Sequence, residues 1–200
     1  MSSRIARILI PVLIAAPVWG ADAPDSSGKA TIAAVWKFQK MDFHYFGRTS
    51  RYSCDGMSDK VRALLTRMGA RRDMKLLTYG CEYGRIRLEG MNPGLSLEFW
   101  APFPAAADKA APGANSNVID ARYESFAFQQ DVFRGLDIGD CELVEEFAHQ
   151  ILSKFATRAV AQNIACVPYQ HEAGSYRLSG EVLKAVKRPD DAAGRGDRVP

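Results

Sequence analysis

The chain has 200 residues, 26 of them basic and 23 acidic, for a formal charge of +3. That near balance gives no global pull toward nucleic acid or an acidic membrane surface, so nucleic acid is disfavoured as a partner. The length supports one domain with a proper core.

In chain order, residues 1–20 read as a cleavable secretory signal peptide. Arg4 and Arg7 give a basic start, Ile8 to Val18 an apolar run, and Val18-Trp19-Gly20 a cleavage context, with the cut after Gly20. The apolar run is about 11 residues, against roughly 20 needed to cross a bilayer, so no membrane span is expected after cleavage. The expected location is periplasmic or secreted.

Residues 21–30 form a polar, flexible lead-in. A single domain over 31–186 follows, with halves at about 31–101 and 118–186, and a charged tail at 187–200 reads as disordered. Thr31 to Phe46 is rich in β-branched and aromatic residues. Trp36 and Phe38, then Phe43 and Tyr45, recur at period two, which predicts one strand, or two with a break near Lys40. Gly47 to Ser53 is a turn. Asp55 to Met68 is an amphipathic helix stopped by Gly69.

Met74 to Tyr79, Gly84 to Glu89 and Leu95 to Trp100 read as strands, the last two joined through Asn92-Pro93-Gly94. Pro102 to Asn117 reads as a loop, and Val118 to Phe133 returns to strand character. Cys141 to Phe155 is a second helix. Arg158 to Val167 and Ser175 to Val186 are a closing pair of strands.

Shifting the first helix by 87 positions lays it on the second. Cys54 meets Cys141, Leu64 meets Ile151, Leu65 meets Leu152, Met68 meets Phe155 and Arg71 meets Arg158. The shared cysteine goes beyond any accidental phasing of two amphipathic helices and points to an internal repeat of a strand–helix–strand–strand unit. An even cysteine count in an exported chain argues for disulfides, and no Cys-x-x-Cys is present. When a helix is followed by an antiparallel strand, the helix start lies near the strand end. That geometry pairs Cys54 with Cys81 and Cys141 with Cys166.

The block Tyr52-Ser53-Cys54-Asp55-Gly56, the Leu-Leu helix after it and Gly69-Ala70-Arg71-Arg72-Asp73 resemble a family of exported proteobacterial proteins of unknown function. The resemblance spans roughly residues 36–100 and, more weakly, the second helix. It implies no activity and carries over no catalytic residue.

Signals for chemistry are sparse. His44 lies two residues from Asp42, on the same face of a regular strand, and with Ser53 could be drawn as a triad. No Gly-x-Ser-x-Gly turn supports a nucleophile. No phosphate loop or metal-ligand spacing occurs, so neither cofactor nor metal is expected. The stretch His44 to Leu88 is basic and Asp120 to Gln162 acidic. This reads as two solvated faces or, more sharply, as a binding patch at Arg48, Arg51, Arg71 and Arg72. Those pairs flank a helix about 21 Å long, too far apart to share one small anion. The aromatics Trp36, Phe38, Phe43, Tyr45, Phe99, Trp100, Tyr123, Phe126 and Phe128 fit a core under two helices, or an apolar binding face.

The expected fold is α+β: a mostly antiparallel sheet with two helices on one face. The expected function is an exported, non-enzymatic accessory protein that binds an envelope component or a protein partner. The alternatives are an envelope hydrolase using His44 with Asp42 or Asp55, and a structural interaction module.

Overall fold

A computed structural model describes residues 30–80, 93–105, 118–129, 135–170 and 174–186. The signal segment, the expected strand at Gly84 to Glu89, Cys81, His171 and the 187–200 tail lie outside the described residues.

The fold is α+β. Strand β1 (Ile32–His44) leads into helix α1 (Cys54–Arg67), then β2 (Lys75–Tyr79) and β3 (Gly94–Pro104). Strand β4 (Val118–Gln129) leads into helix α2 (Cys141–Gln150), then β5 (Thr157–Ala165) and β6 (Ser175–Ala185). The strands form one antiparallel sheet in the order β2-β3-β1-β4-β6-β5. Read from either edge, the order is the same: β2 answers β5, β3 answers β6, β1 answers β4. At the central seam Ala33 pairs with Asp120, and these numbers differ by 87, the offset that relates the helices.

The halves correspond in burial as well. Met57 and Val144, Val61 and Ala148, Leu64 and Ile151, Leu65 and Leu152, and Met68 and Phe155 are all buried. They join Phe43, Leu95, Leu97, Phe99, Phe126, Phe128, Leu178 and Val182 from the sheet in one cluster. Burying so many large apolar side chains, each worth about 1.5–3 kcal/mol, is the main force holding the halves together.

Several boundaries moved from the sequence reading. β1 is one unbroken strand. Trp36 and Phe38 have even numbers while Phe43 and Tyr45 have odd ones, so the change of phase marks two faces of the sheet and no break. The first helix begins at Cys54, because the Ser53 hydroxyl accepts a hydrogen bond from Gly56 N at 3.1 Å and caps it. Its end is sealed by Gly69 at φ 89°, with Ala70 N donating to Leu65 O. β3 runs on to Pro104, into the stretch read as loop. Its odd-numbered N–H groups face β1, as Ala105 N bonded to Ala33 O continues to do. The N–H groups missing at Pro102 and Pro104 would point to the other side, where β2 has ended. α2 is shorter than expected, ending at Gln150, and a 3₁₀ turn (Leu152–Lys154) carries the chain on to Phe155.

One disulfide is seen among the described residues, Cys141–Cys166 with Cα atoms 5.6 Å apart, as expected. Cys54 is itself disulfide-bonded, and its expected partner, Cys81, falls outside the described residues. Among those residues no helix is long and apolar enough to cross a membrane.

Candidate functional site

Side chains alternate across a strand, so the pairing register sorts the aromatics into two sets. Phe43, Tyr45, Phe99, Phe126 and Phe128 go under the helices. Trp36, Phe38, Trp100 and Tyr123 take the opposite, outer face of the sheet. The core reading therefore holds for the first set, while the second set lies on the face away from the helices.

The outer face of the first half is built in rows. Tyr79, Gly94 and His44 form one row across β2, β3 and β1; Leu77, Ser96 and Asp42 the next; Lys75, Glu98 and Lys40 the third. Trp100 and Phe38 follow, their rings 5.2 Å apart. Leu77 is 69 % exposed, Phe46 55 %, Phe38 45 % and Tyr79 39 %. Such a group of exposed large apolar side chains on one surface is unusual outside interaction sites. The charged row crossing it is internally paired, with Lys40 2.9 Å from Glu98 and Lys75 4.0 Å from the same carboxylate.

Tyr79 lies across β3 to reach His44. A Cβ on Gly94 would stand 2.6 Å from its ring, so any larger residue there would push the Tyr79 ring off β3. The Tyr79 hydroxyl is 3.5 Å from His44 Nδ1. Burial, and then the Asp42 charge, push its pKa above the ordinary tyrosine value. The His44 ring also stacks on Phe46, centroids 6.0 Å apart.

Arg71 spreads its guanidinium over Trp100 and Trp36, 5.1 and 5.7 Å from the ring centres, and Asp73 holds it from the side. The second half repeats this. Arg158 lies 4.1 Å from the centre of the Tyr123 ring and pairs with Glu181. Arg158 and Tyr123 are each 87 positions beyond Arg71 and Trp36. The sequence reading aligned the arginines but not the rings beneath them.

A second cluster joins the halves at the start of α2. Glu142, 7 % exposed, accepts hydrogen bonds through Oε2 from Arg48 N (2.8 Å), Thr49 N (2.7 Å) and the Tyr45 hydroxyl (3.3 Å). Asp140, 2 % exposed, accepts from the Tyr52 hydroxyl at 2.5 Å and from Lys60 Nζ at 2.6 Å. Burial, reinforced by the neighbouring carboxylates, raises the pKa of both tyrosines. Burial opposes the Lys60 charge, but hydrogen bonds to Asp137 and Asp140 outweigh it and hold the ammonium above its usual pKa. In the sequence, Asp140 and Glu142 have the look of ordinary acids at a helix start.

The other candidates are scattered. Arg48 and Arg51 sit exposed before α1, while Arg71 and Arg72 follow it, so the four are not brought together. Only Arg71 lies on the aromatic face. The triad drawn from Asp42, His44 and Ser53 dissolves, since the Ser53 hydroxyl is committed to capping α1. Asp55 lies exposed in the first turn of that helix. Among the described residues no group of three His, Cys, Asp or Glu side chains could hold a metal ion. Comparison with known proteins finds no family model, no curated protein and no solved structure that matches this chain.

Proposed function

We propose that the chain is an exported, non-enzymatic envelope protein, and that the outer face of its first half binds a protein partner. The observation that carries this reading is the contrast between the two halves. Strand pairing places Ser125 where the first half has Phe38, Asn163 where it has Leu77, and Ala165 where it has Tyr79. One half presents small and polar groups, the other exposed aromatics and a leucine. The second half exposes Val160 and Tyr169 elsewhere, but at the positions equivalent to Phe38, Leu77 and Tyr79 it does without large apolar groups, so the frame does not require them there. Aromatic side chains crossed by a row in which one carboxylate bridges two lysines fit the make-up of a protein–protein interface.

The halves are taken as copies of one unit. Support comes from the single offset of 87 shared by the helix starts, the central seam and the two arginine stacks. Export rests on the basic and apolar start of the sequence and on the disulfide, which persists in oxidising compartments. Membership of the exported proteobacterial family that residues 36–100 resemble is part of the same proposal. A hydrolase is less well supported: Ser96 stands opposite Asp42 on the same face, but among the described residues no hydrogen bond joins its hydroxyl to His44 or Asp42.

The test is a comparative capture. Oxidised wild-type protein and the Phe38→Ser/Leu77→Ser variant are each incubated with envelope extract. The wild type should retain a partner that the variant loses. Equal retention by both would sink the reading.

A further inference from the structure

One end of the proposed binding strip is held in place by the other half of the molecule. Gln150 on α2 grips the backbone of His44 at both groups: His44 N donates to its Oε1 at 3.0 Å, and its Nε2 donates to His44 O at 2.7 Å. The loop that follows carries Phe46 and is fastened through Arg48 N and Thr49 N to Glu142. Thr49 is then held from a second side. Its hydroxyl donates to Val167 O at 3.4 Å and accepts from Tyr169 N at 3.0 Å.

These two anchorages are joined by one covalent bond. Cys141 lies between Asp140 and Glu142, and Cys166 immediately precedes the turn that grips Thr49. Thr49, Glu142, Cys141, Cys166 and Val167 line a shared crevice. Cys141 is buried, whereas Cys166 is half-buried, so of the two it is the more open to solvent. In the turn at 166–170, Pro168, Tyr169 and Gln170 are exposed.

We propose that the Cys141–Cys166 disulfide is a thiol-sensitive control on the binding strip, an inference that rests on reading the outer face as the binding site. Intact, the bond keeps the 166–169 turn against Thr49 and so keeps Phe46 and His44 in line with Tyr79. A dithiol reductant breaks it by thiolate attack and a second exchange. Both cysteines become thiols, the reductant leaves as its own disulfide, and two electrons and two protons have been transferred. The turn then separates from Thr49, and the loop at 45–50 loosens while the sheet persists.

The experiment uses the full chain and its Cys141→Ser/Cys166→Ser variant, which leaves the Cys54 bond in place. Amide hydrogen exchange is followed at 44–50, with α1 and β3 as internal references. Exchange at 44–50 should quicken at least tenfold while α1 and β3 stay protected. In the wild type, limited dithiothreitol followed by alkylation should label Cys141 and Cys166 in step with the same change. Unchanged protection at 44–50, or a rise that spreads equally through α1 and β3, overturns the proposal, as does labelling without faster exchange. A hydrophobic dye, anilinonaphthalene sulfonate, separates this from the parent reading. If the loop loosens as expected but Leu77→Ser and Phe38→Ser leave dye binding unchanged, the control stands and the binding-face reading fails.

Discussion

The two helix starts illustrate how one frame serves two purposes. At α1 the sequence is Ser53-Cys54-Asp55, at α2 it is Asp140-Cys141-Glu142, and the two triplets are 87 positions apart. In the first half Ser53 caps its own helix and Asp55 points into water. In the second, both acids are buried and hold the tyrosines, the lysine and the loop of the other half. Where one half has a local helix cap, the other has a clasp between the halves. The outer face differs in the opposite sense: Phe38, Leu77 and Tyr79 are exposed in the first half where the second has Ser125, Asn163 and Ala165. What recurs in both halves, such as the arginine stacks, serves the frame, and what occurs in one alone points to a task of that half.

The comparison can be broken at its strongest link first. Replacing Cys141 and Cys166 by serine should cost about 3.5 kcal/mol for a loop of 25 residues on the chain-entropy account, read from urea unfolding. A loss under about 1 kcal/mol would mean that the second unit needs no staple.

Next is Glu142→Ala against Asp55→Ala. The first strands two backbone donors and a tyrosine hydroxyl out of water and should cost about 3 kcal/mol. The second should stay within about 0.5 kcal/mol, as exposed substitutions do. Equal costs would remove the distinction between cap and clasp.

The clasp also predicts a response to alkali. Tyr45 and Tyr52 have folded pKa values raised above 10.0, chiefly by burial and then by the Glu142 and Asp140 charges. Their neutral forms therefore contribute full stability below pH 10. Above it the unfolded chain loses these protons first, so stability should fall by about 1.4 kcal/mol per pH unit for each tyrosine. Tyr52→Phe should flatten that slope by one such increment in denaturation curves at pH 10 to 11. An unaltered slope would show that Tyr52 ionises equally in both states.

Smaller effects sharpen the equivalence of the halves. Arg71→Ala and Arg158→Ala should each cost about 0.5–1 kcal/mol, since each removes a partly exposed guanidinium from aromatic rings, Trp36 and Trp100 for the first and Tyr123 for the second. A large disparity would argue against a common origin for the two stacks. Smallest in stability is Leu77→Ser, within about 0.5 kcal/mol for so exposed a side chain. Asn163→Ser should match it in stability. Only Leu77→Ser should also reduce dye binding, and a like reduction from Asn163→Ser would erase the functional contrast.

Much of the frame could be read from local pattern. The helix stripe from Met57 to Met68, the glycine stop at Gly69 and the cysteine before each apolar stripe are all set by residues close in the chain, where periodicity and capping act. The repeat offset was legible for the same reason. The sheet order and the long reach of β3 were not, because pairing joins residues such as Trp36 and Pro102 that lie far apart in sequence.

The outer face proposed for binding was legible in part. Trp36, Phe38 and Trp100 stood out as aromatics, but nothing local says which face a strand buries. Leu76 and Leu77 are identical neighbours, and only the pleat decides that Leu76 packs against the core while Leu77 faces water. The clasp was hidden for a related reason. Asp140 and Glu142 look like ordinary helix-start acids until the fold brings Tyr45, Arg48, Thr49, Tyr52 and Lys60 to them across about ninety residues of chain. Most elements, though not all their ends, the offset between the halves and the cysteine pairing of the second follow from short-range geometry and so are legible locally. Which aromatics face solvent and which carboxylates are buried depends on how the whole chain packs, because burial is a property of the packed whole and of no single segment.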